Sequence, residues 1–322
     1  MTPLVSIITP CYNGEKKAIK FLNSVLEQTY KNIEFIIVND GSTDKTEEII
    51  LSYRDKFISK GYKFIYLKQK NSGQDVALNN GLKYFSGDYL MWPDSDDILL
   101  PTNIEEKVKY LEQNKSIGLV YCNTNLVRED NLDKVVKKWD KVLYKDRLEN
   151  INDILLNKVV LAGGAWMMRS SFFLKLNPSR QIVIIGQGQN LQMLLPIAFN
   201  YDIGKIDKYL FTYVIYKDSH SNKKRSYEEM MKRIDESIKG IDNILKTINL
   251  EKPLYDKYLQ IVKNEWEIIR LNRSIEYFKR NDSEFIYKTL KINNVKLDFK
   301  TKLKYYFNKY GIYKYIKALR NK

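Results

Sequence analysis

Four short apolar runs, Leu4–Thr9, Ile33–Val38, Lys63–Leu67 and Asp88–Trp92, alternate with stretches of helical spacing over the first part of the chain. The first two runs are dense in Val and Ile, the pattern of strands buried on both faces of a parallel sheet. Between them Ile19, Leu22, Val25, Leu26 and Tyr30 recur at the spacing of one helix face, which makes a β-α-β unit. A second helix is predicted after Asp40-Gly41-Ser42-Thr43-Asp44, where Ser42 or Thr43 can cap and Glu47 and Glu48 suit the first turn. A third runs over Gln74–Phe85. Such alternation leaves little choice of fold: an α/β, doubly wound sheet, flanked by helices, with its ligand beyond the carboxyl ends of the strands.

Those strand ends carry polar residues: Pro10 to Glu15 after the first, Asn39 to Ser42 after the second, Gln69 to Gly73 after the third. After the fourth, Pro93 stops the strand, because its ring lacks the N–H a ladder needs. Asp94, Ser95, Asp96 and Asp97 follow. Carboxylates this close repel one another and resist desolvation, so at the end of a buried strand they call for a compensating charge. With only hard oxygen ligands on offer, the cation is Mn²⁺ or Mg²⁺ rather than zinc. The plainer alternative is a solvated acidic turn that caps the helix after Pro101. No G-x-G-x-x-G follows the first strand and no Walker loop occurs, while Gly186-Gln187-Gly188 is too short to stand for either. A dinucleotide dehydrogenase and a P-loop NTPase are therefore poorly supported.

Together, P-x-Y-N at Pro10–Asn13, V-N-D-G-S-T-D at Val38–Asp44, Asn71-Ser72-Gly73 with Asn79-Asn80-Gly81, and D-x-D-D at Asp94–Asp97 resemble the amino-terminal part of a family 2 glycosyltransferase of the GT-A fold, of the bacterial surface-polysaccharide type. The likeness is dense over residues 4–125 and continues weakly to about 220. It implies a GT-A type mixed sheet with a carboxyl-terminal helical region. It further implies a nucleotide-sugar donor, UDP-linked by preference, and a lipid-linked or polymeric saccharide acceptor in capsule, O-antigen or related glycan synthesis. By the same resemblance, Pro10, Tyr12 and Asn13 line the nucleoside pocket and Asp40 accepts from the base. Asp94 lies near ribose and metal, and Asp96 ligates the metal that bridges the donor pyrophosphate; Gly73 and Ser95 belong to the same donor site. Glu15 is balanced between a nucleotide contact and a helix-start carboxylate. The family often has an Arg where Leu78 stands here, which leaves Lys68 or Lys70 as substitutes on the phosphate.

The acceptor side departs from the pattern. Where inverting members carry a Glu-Asp pair whose carboxylate takes the acceptor proton, this chain reads Gln189-Asn190, and neutral amides cannot act as a base. General-base assistance is worth about 10²- to 10⁴-fold. Four readings follow: an acceptor already ionised, another carboxylate that moves in, displacement with retention, or a degenerate donor-binding or scaffolding subunit. An active enzyme is favoured, with Gln189, Asn190 and Asp96 at the reaction and Gln187 and Asp97 toward the acceptor. Trp166, after Gly163-Gly164-Ala165, either stacks on an acceptor sugar or is a core aromatic. His220, the sole histidine, is either an uninvolved surface residue or a third metal ligand, with Ser219 and Ser221 suited to phosphate oxygens.

Charge bears on partners. The net +15 suggests nucleic acid, but residues 296–322 hold nine Lys or Arg against Asp298 alone. More than half of the excess is thus terminal, no aromatic-basic sheet motif accompanies it, and no nucleic acid is expected. In that segment Phe299, Leu303, Tyr306, Phe307, Tyr310, Ile312, Tyr315, Ile316 and Leu319 form apolar faces among lysines, as in helices that lie on an anionic membrane surface. A basic helix packed on the body is the alternative. The stripes at 227–248 and 254–269 bury against each other or a second copy. Cys11 and Cys122 give no disulfide framework or metal spacing, which suits a reducing compartment. No signal-peptide pattern precedes Val5, and the longest mainly apolar run, Val159–Met168, is about half of the roughly 20 residues a spanning helix needs. The expectation is a cytoplasmic protein, peripheral at the inner face of the membrane. Its expected organisation is a glycosyltransferase domain at 1–222, with a nucleotide-sugar half at 1–125 and an acceptor half at 126–222, then a helical extension at 223–295 and a basic amphipathic tail at 296–322.

Overall fold

The computed structural model describes residues 2–140, 147–156, 158–159, 162–185, 188–218 and 225–320. The chain forms two compact units, Met1–Asn222 and Lys223–Lys322.

In the first unit, β1 (Val5–Cys11) leads through α1 (Ala18–Leu26) to β2 (Ile33–Asn39). Two short helices, α2 (Thr46–Ser52) and α3 (Arg54–Ser59), replace the single one expected before β3 (Lys63–Lys68); α4 (Gln74–Leu82) then precedes β4 (Tyr89–Met91). The chain continues through β5 (Ile98–Leu99), α5 (Asn103–Gln113), β6 (Ile117–Arg128), β7 (Asn131–Trp139) and α6 (Arg147–Leu155). A 3₁₀ turn (Gly163–Ala165), β8 (Trp166–Arg169), α7 (Ser170–Leu176), α8 (Gln189–Asn200) and β9 (Asp202–Ile215) complete the unit. The first half of β9, Asp-Ile-Gly-Lys-Ile-Asp-Lys, is too polar to read as a buried strand from sequence.

The strands form one mixed sheet in the order β3-β2-β1-β4-β8-β6-β9-β5, with β7 paired to β6. β1 to β4 are mutually parallel where they pair, and β8 joins β4 antiparallel. Cys11 stands opposite Asn39 and Asn39 opposite Lys68, so three strand ends emerge at one level. Val5, Ile7, Ile8 and Phe35 to Val38 are all fully buried, which explains why these runs show no polar face. Phe21, Leu22 and Val25 of α1, and Ala77, Leu78 and Leu82 of α4, supply the covering helices' buried faces.

The second unit is helical: α9 (Tyr227–Thr247), α10 (Lys252–Glu276), α11 (Arg280–Ile292), α12 (Phe299–Lys309) and α13 (Tyr313–Arg320). Ser226 and Glu229 close a capping box at the start of α9, and Pro253 sits in the first turn of α10, where no N–H is needed. Leu271, Ile275, Ile286, Leu290 and Tyr305 form a core, with the Tyr287 and Tyr305 rings stacked at 3.8 Å. The expected basic tail is thus two-sided. Tyr305 and Asn308 of α12 are buried, while Phe299, Tyr310, Tyr315 and Leu319 face outward. Among the described residues no helix is long and apolar enough to cross a membrane.

Candidate active site

The strand-end loops of the first unit are tied to one another by side chains that the sequence had only placed near them. Asn13 adopts a left-handed backbone conformation, φ 46°, which suits Asn better than most residues. Its N–H donates to Ser42 Oγ at 3.0 Å, and its Oδ1 accepts from the Thr43 N–H at 2.9 Å. The Gly14 N–H donates to Thr46 Oγ1 at 2.7 Å and the Glu15 N–H to Asp44 Oδ2 at 3.1 Å. Burial opposes ionisation of Asp44, but the Thr46 hydroxyl and amide, with the Glu15 amide, hold its pKa below the ordinary value. The loops after β1 and β2 therefore act as one piece.

Asp40 joins the third loop to them. Its Oδ1 accepts from Gln69 Nε2 at 2.8 Å and from the Ser72 N–H at 2.9 Å, and its Oδ2 from the Gly73 N–H at 2.9 Å. Gly41 lets the loops meet, since at its φ of +70° a Cβ would stand 2.5 Å from the Asn71 nitrogen. Gln74, at the start of α4, donates to Asp94 Oδ1 at 2.7 Å, which links the third loop to the fourth.

These loops border a cleft of about 630 Å³, lined by Pro10 to Gly14, Lys17, Asp40, Asn71, Gly73, Gln74, Asp94 to Asp96, Tyr213 and Asp218. Asp94 and Asp96 each keep part of their surface open to it. Burial, the neighbouring Asp96 charge and the opposing Gln74 hydrogen bond together push Asp94 up to about 7. Burial also raises Asp96, against the pull of the Lys17 ammonium. Both shifts mark negative charge that the protein alone leaves undercompensated. No group of three or more His, Cys, Asp or Glu among the described residues could hold a metal by itself. Two carboxylates on a cleft of this size fit Mg²⁺ or Mn²⁺, which keep several ligand positions for water and substrate oxygens; they do not fit a closed all-protein cage.

Of the residues singled out in the sequence, Pro10, Tyr12, Asn13, Asp40, Gly73, Asp94, Ser95 and Asp96 border this one cleft. Glu15, Asp97, Trp166, Gln189 and Asn190 are not among the residues that line it. Glu15 accepts from the N–H of Lys45, the residue before α2, at 3.4 Å. Asp97, expected near the acceptor, is only 1% exposed and accepts from the Val214 N–H at 3.0 Å; the turn after Pro93 rotates it into the sheet while its two neighbours face out. Trp166, also expected at the acceptor, is fully buried and stacks on Tyr121 at 4.9 Å, because β8 runs between β4 and β6. Lys68 pairs with Glu47 on the surface, and Lys70 is exposed and does not border the cleft. Gln187 and His220, with Ser219 and Ser221, lie outside the described residues.

Gln189 and Asn190 open α8 behind Gly188, and Trp92 Nε1–H donates to Asn190 Oδ1 at 2.9 Å. Gly163 is the close neighbour of both, since a Cβ there would stand 2.2 Å from the Trp92 carbonyl oxygen and 3.2 Å from Asn190 Oδ1. The turn holding Gly163 is fixed from behind by Lys107, a fully buried lysine that donates to the Gly164 carbonyl at 2.7 Å and to Asn103 Oδ1 at 2.9 Å. Burial lowers that ammonium to about 8. Sequence reading missed Lys17, Gln74, Tyr213, Tyr216 and Asp218. Tyr213 and Tyr216 could be taken only as part of an apolar strand, and nothing in Glu15-Lys16-Lys17 distinguishes one lysine.

The family described as "Glycosyl transferase family 2" matches residues 6–176. An uncharacterized glycosyltransferase of Rickettsia typhi is 41% identical over 150 residues, 46% of this chain and 45% of that protein. Glycosyltransferase GlyA of Streptococcus pneumoniae is 37% identical over 120 residues, 36% of this chain and 17% of its own length. The matches thus span less than half of either relative. The crystal structure of S. aureus TarS 1-349 in complex with UDP-GlcNAc superposes with TM-score 0.62 at 19% identity, over 98% of this chain and 92% of that one. The mannosyltransferase PcManGT from Pyrobaculum calidifontis, in complex with GDP-Man and Mn²⁺, gives 0.56 at 16% identity, over 100% and 88%. At these identities the likeness is one of fold, and the fold is the GT-A type.

Proposed function

The chain belongs to glycosyl transferase family 2, and from that membership we propose that its cleft holds a nucleotide-sugar donor through a divalent cation on Asp94 and Asp96. The enzyme is a glycosyltransferase; the proposed acceptor is a lipid-linked or polymeric saccharide in bacterial surface-glycan synthesis. The observation that carries the donor reading is that Asp94 and Asp96, at the mouth of β4, open on the same cleft as Tyr12, Asn13 and Asp40. When bound, Mn²⁺ or Mg²⁺ supplies Lewis-acid stabilisation of the charge that a departing nucleoside diphosphate gains.

The chain's own residues do the rest. Tyr12, half-exposed at 50%, offers a ring to stack on the base. Three donors already bind Asp40, so it fixes the pocket wall and keeps one acceptor position for the base. Gln74 orients Asp94, and Ser95 stands beside them on the cleft. Asn190, whose carbonyl oxygen is taken by Trp92, presents N–H donors where related enzymes present a carboxylate. That suits an acceptor oxygen already ionised, and it also sustains the second reading, a donor-binding subunit without transfer activity. The outward apolar residues Phe299, Tyr310, Tyr315 and Leu319 among the lysines of α12 and α13 favour peripheral attachment to an anionic membrane. Vesicle flotation with and without residues 296–322 tests that part, and equal flotation of both forms would remove it.

A uridine donor is the first to try, since TarS was solved with UDP-GlcNAc. Hydrolysis and transfer assays with Mn²⁺ across UDP, GDP and dTDP sugars test the whole reading. Turnover of one donor class is the expected result; binding without turnover would select the donor-binding subunit, and neither would dismiss both.

A further inference from the structure

Four acids, Asp40, Asp94, Asp96 and Asp218, border the cleft, and among the described residues Lys17 is the one Lys or Arg that does. Its ammonium lies 4.2 Å from the centre of the Tyr216 ring and 3.2 Å from Asp218 Oδ1. The Tyr216 hydroxyl in turn donates to the Asp96 carbonyl oxygen at 3.0 Å. One tyrosine therefore sets the position of both the cation and the backbone of Asp96. Lys17 also lines the same cleft as Asp94 and Asp96.

A nucleoside diphosphate brings two to three negative charges into a cleft that is already acidic. A single divalent ion on Asp94 and Asp96 offsets only part of this, so a side-chain cation is needed as well. Leu78 is apolar and buried, Lys68 is paired with Glu47, and Lys70 is exposed and is not among the residues that line the cleft. Resting on the donor reading above, we propose that Lys17 is the side-chain cation that binds the donor diphosphate, exchanging Asp218 for a phosphoryl oxygen. The present partner is easily given up: the Asp218 side chain is 74% exposed, and ion pairs to so exposed a carboxylate contribute little. The Tyr216 face keeps the ammonium over the cleft while the exchange occurs.

Isothermal calorimetry on the full chain with saturating Mn²⁺ tests this. It uses whichever of UDP, GDP and dTDP the wild type takes best, with the matching nucleoside as control. Lys17→Met should weaken the diphosphate about tenfold or more and leave the nucleoside as it was. Lys17→Arg should restore most of the loss. Asp218→Asn, which frees the ammonium and removes a negative charge, should bind the diphosphate as tightly as wild type or more tightly. Undiminished diphosphate affinity in Lys17→Met overturns the proposal. So does parallel weakening by Lys17→Met and Asp218→Asn, the mark of a merely structural pair, or equal loss of nucleoside and diphosphate. If the wild type takes up none of the three diphosphates, the donor reading itself falls.

Discussion

The Trp92 indole N–H donates to Asn190 Oδ1 at 2.9 Å, and because an indole can only donate, the orientation of this amide is decided. Its oxygen is occupied and its two N–H groups remain. The residue proposed to stand where a catalytic base is expected is thus set up as a hydrogen-bond donor. Asn190→Ala removes the donors. Asn190→Asp keeps the bond from Trp92 but presents negative charge to an acceptor proposed to be ionised. Both should lower transfer by about tenfold or more, measured as kcat/KM for the acceptor, with donor affinity unchanged. Full activity in the alanine variant would take residue 190 out of the mechanism.

Cation binding should depend on pH in a defined direction. Asp94 is raised to about 7 by burial and by Asp96, so in the metal-free protein it gains a proton as pH falls through that value. Mn²⁺ must then displace the proton. Apparent Mn²⁺ affinity is expected to be level above pH 8 and to decline by up to about tenfold per pH unit below 7. Calorimetry in two buffers of different ionisation heat should show proton release at pH 6.5 and none at pH 8.5. The same raised pKa makes the metal-free fold gain stability from this group as pH falls from about 7 toward the unfolded value of 3.8, since the folded state holds more protons across that window. Saturating Mn²⁺ should remove that gain in a thermal melt.

Trp166 is a core residue and should behave as one. Fully buried and stacked on Tyr121, it should cost about 3–5 kcal/mol of folding stability when replaced by Ala. Tyr12, at 50% exposure, should cost little in stability and weaken nucleotide binding instead. Denaturant melts beside nucleotide titrations separate the two, and a Trp166→Ala variant as stable as wild type would contradict its placement.

What the sequence made legible is what depends on local pattern. Unbroken Val and Ile runs reveal strands buried on both faces, and Pro93 marks where β4 stops. Polar residues at consecutive strand ends reveal one mouth, since β1, β2 and β3 finish in register. Direction and distance were not legible. Asp96 and Asp97 are neighbours of the same chemistry, yet one opens on the cleft and the other enters the sheet to meet Val214, and only the rotation of the turn decides between them. Lys17 and Asp218 meet across 201 positions of sequence. The stack of Trp166 on Tyr121 likewise depends on β8 being inserted beside β6, which no short-range spacing encodes.

Asp94 and Asp96 are proposed to hold a nucleotide sugar's diphosphate through a divalent ion. The most direct measurement is calorimetric titration of UDP, GDP and dTDP into the protein with Mn²⁺ and with EDTA, repeated on Asp96→Ala. The expected result is uptake of one nucleotide that is strong with Mn²⁺, lost with EDTA and lost in the variant. Equal binding in all three conditions, or no binding of any of these nucleotides with Mn²⁺ present, would contradict it.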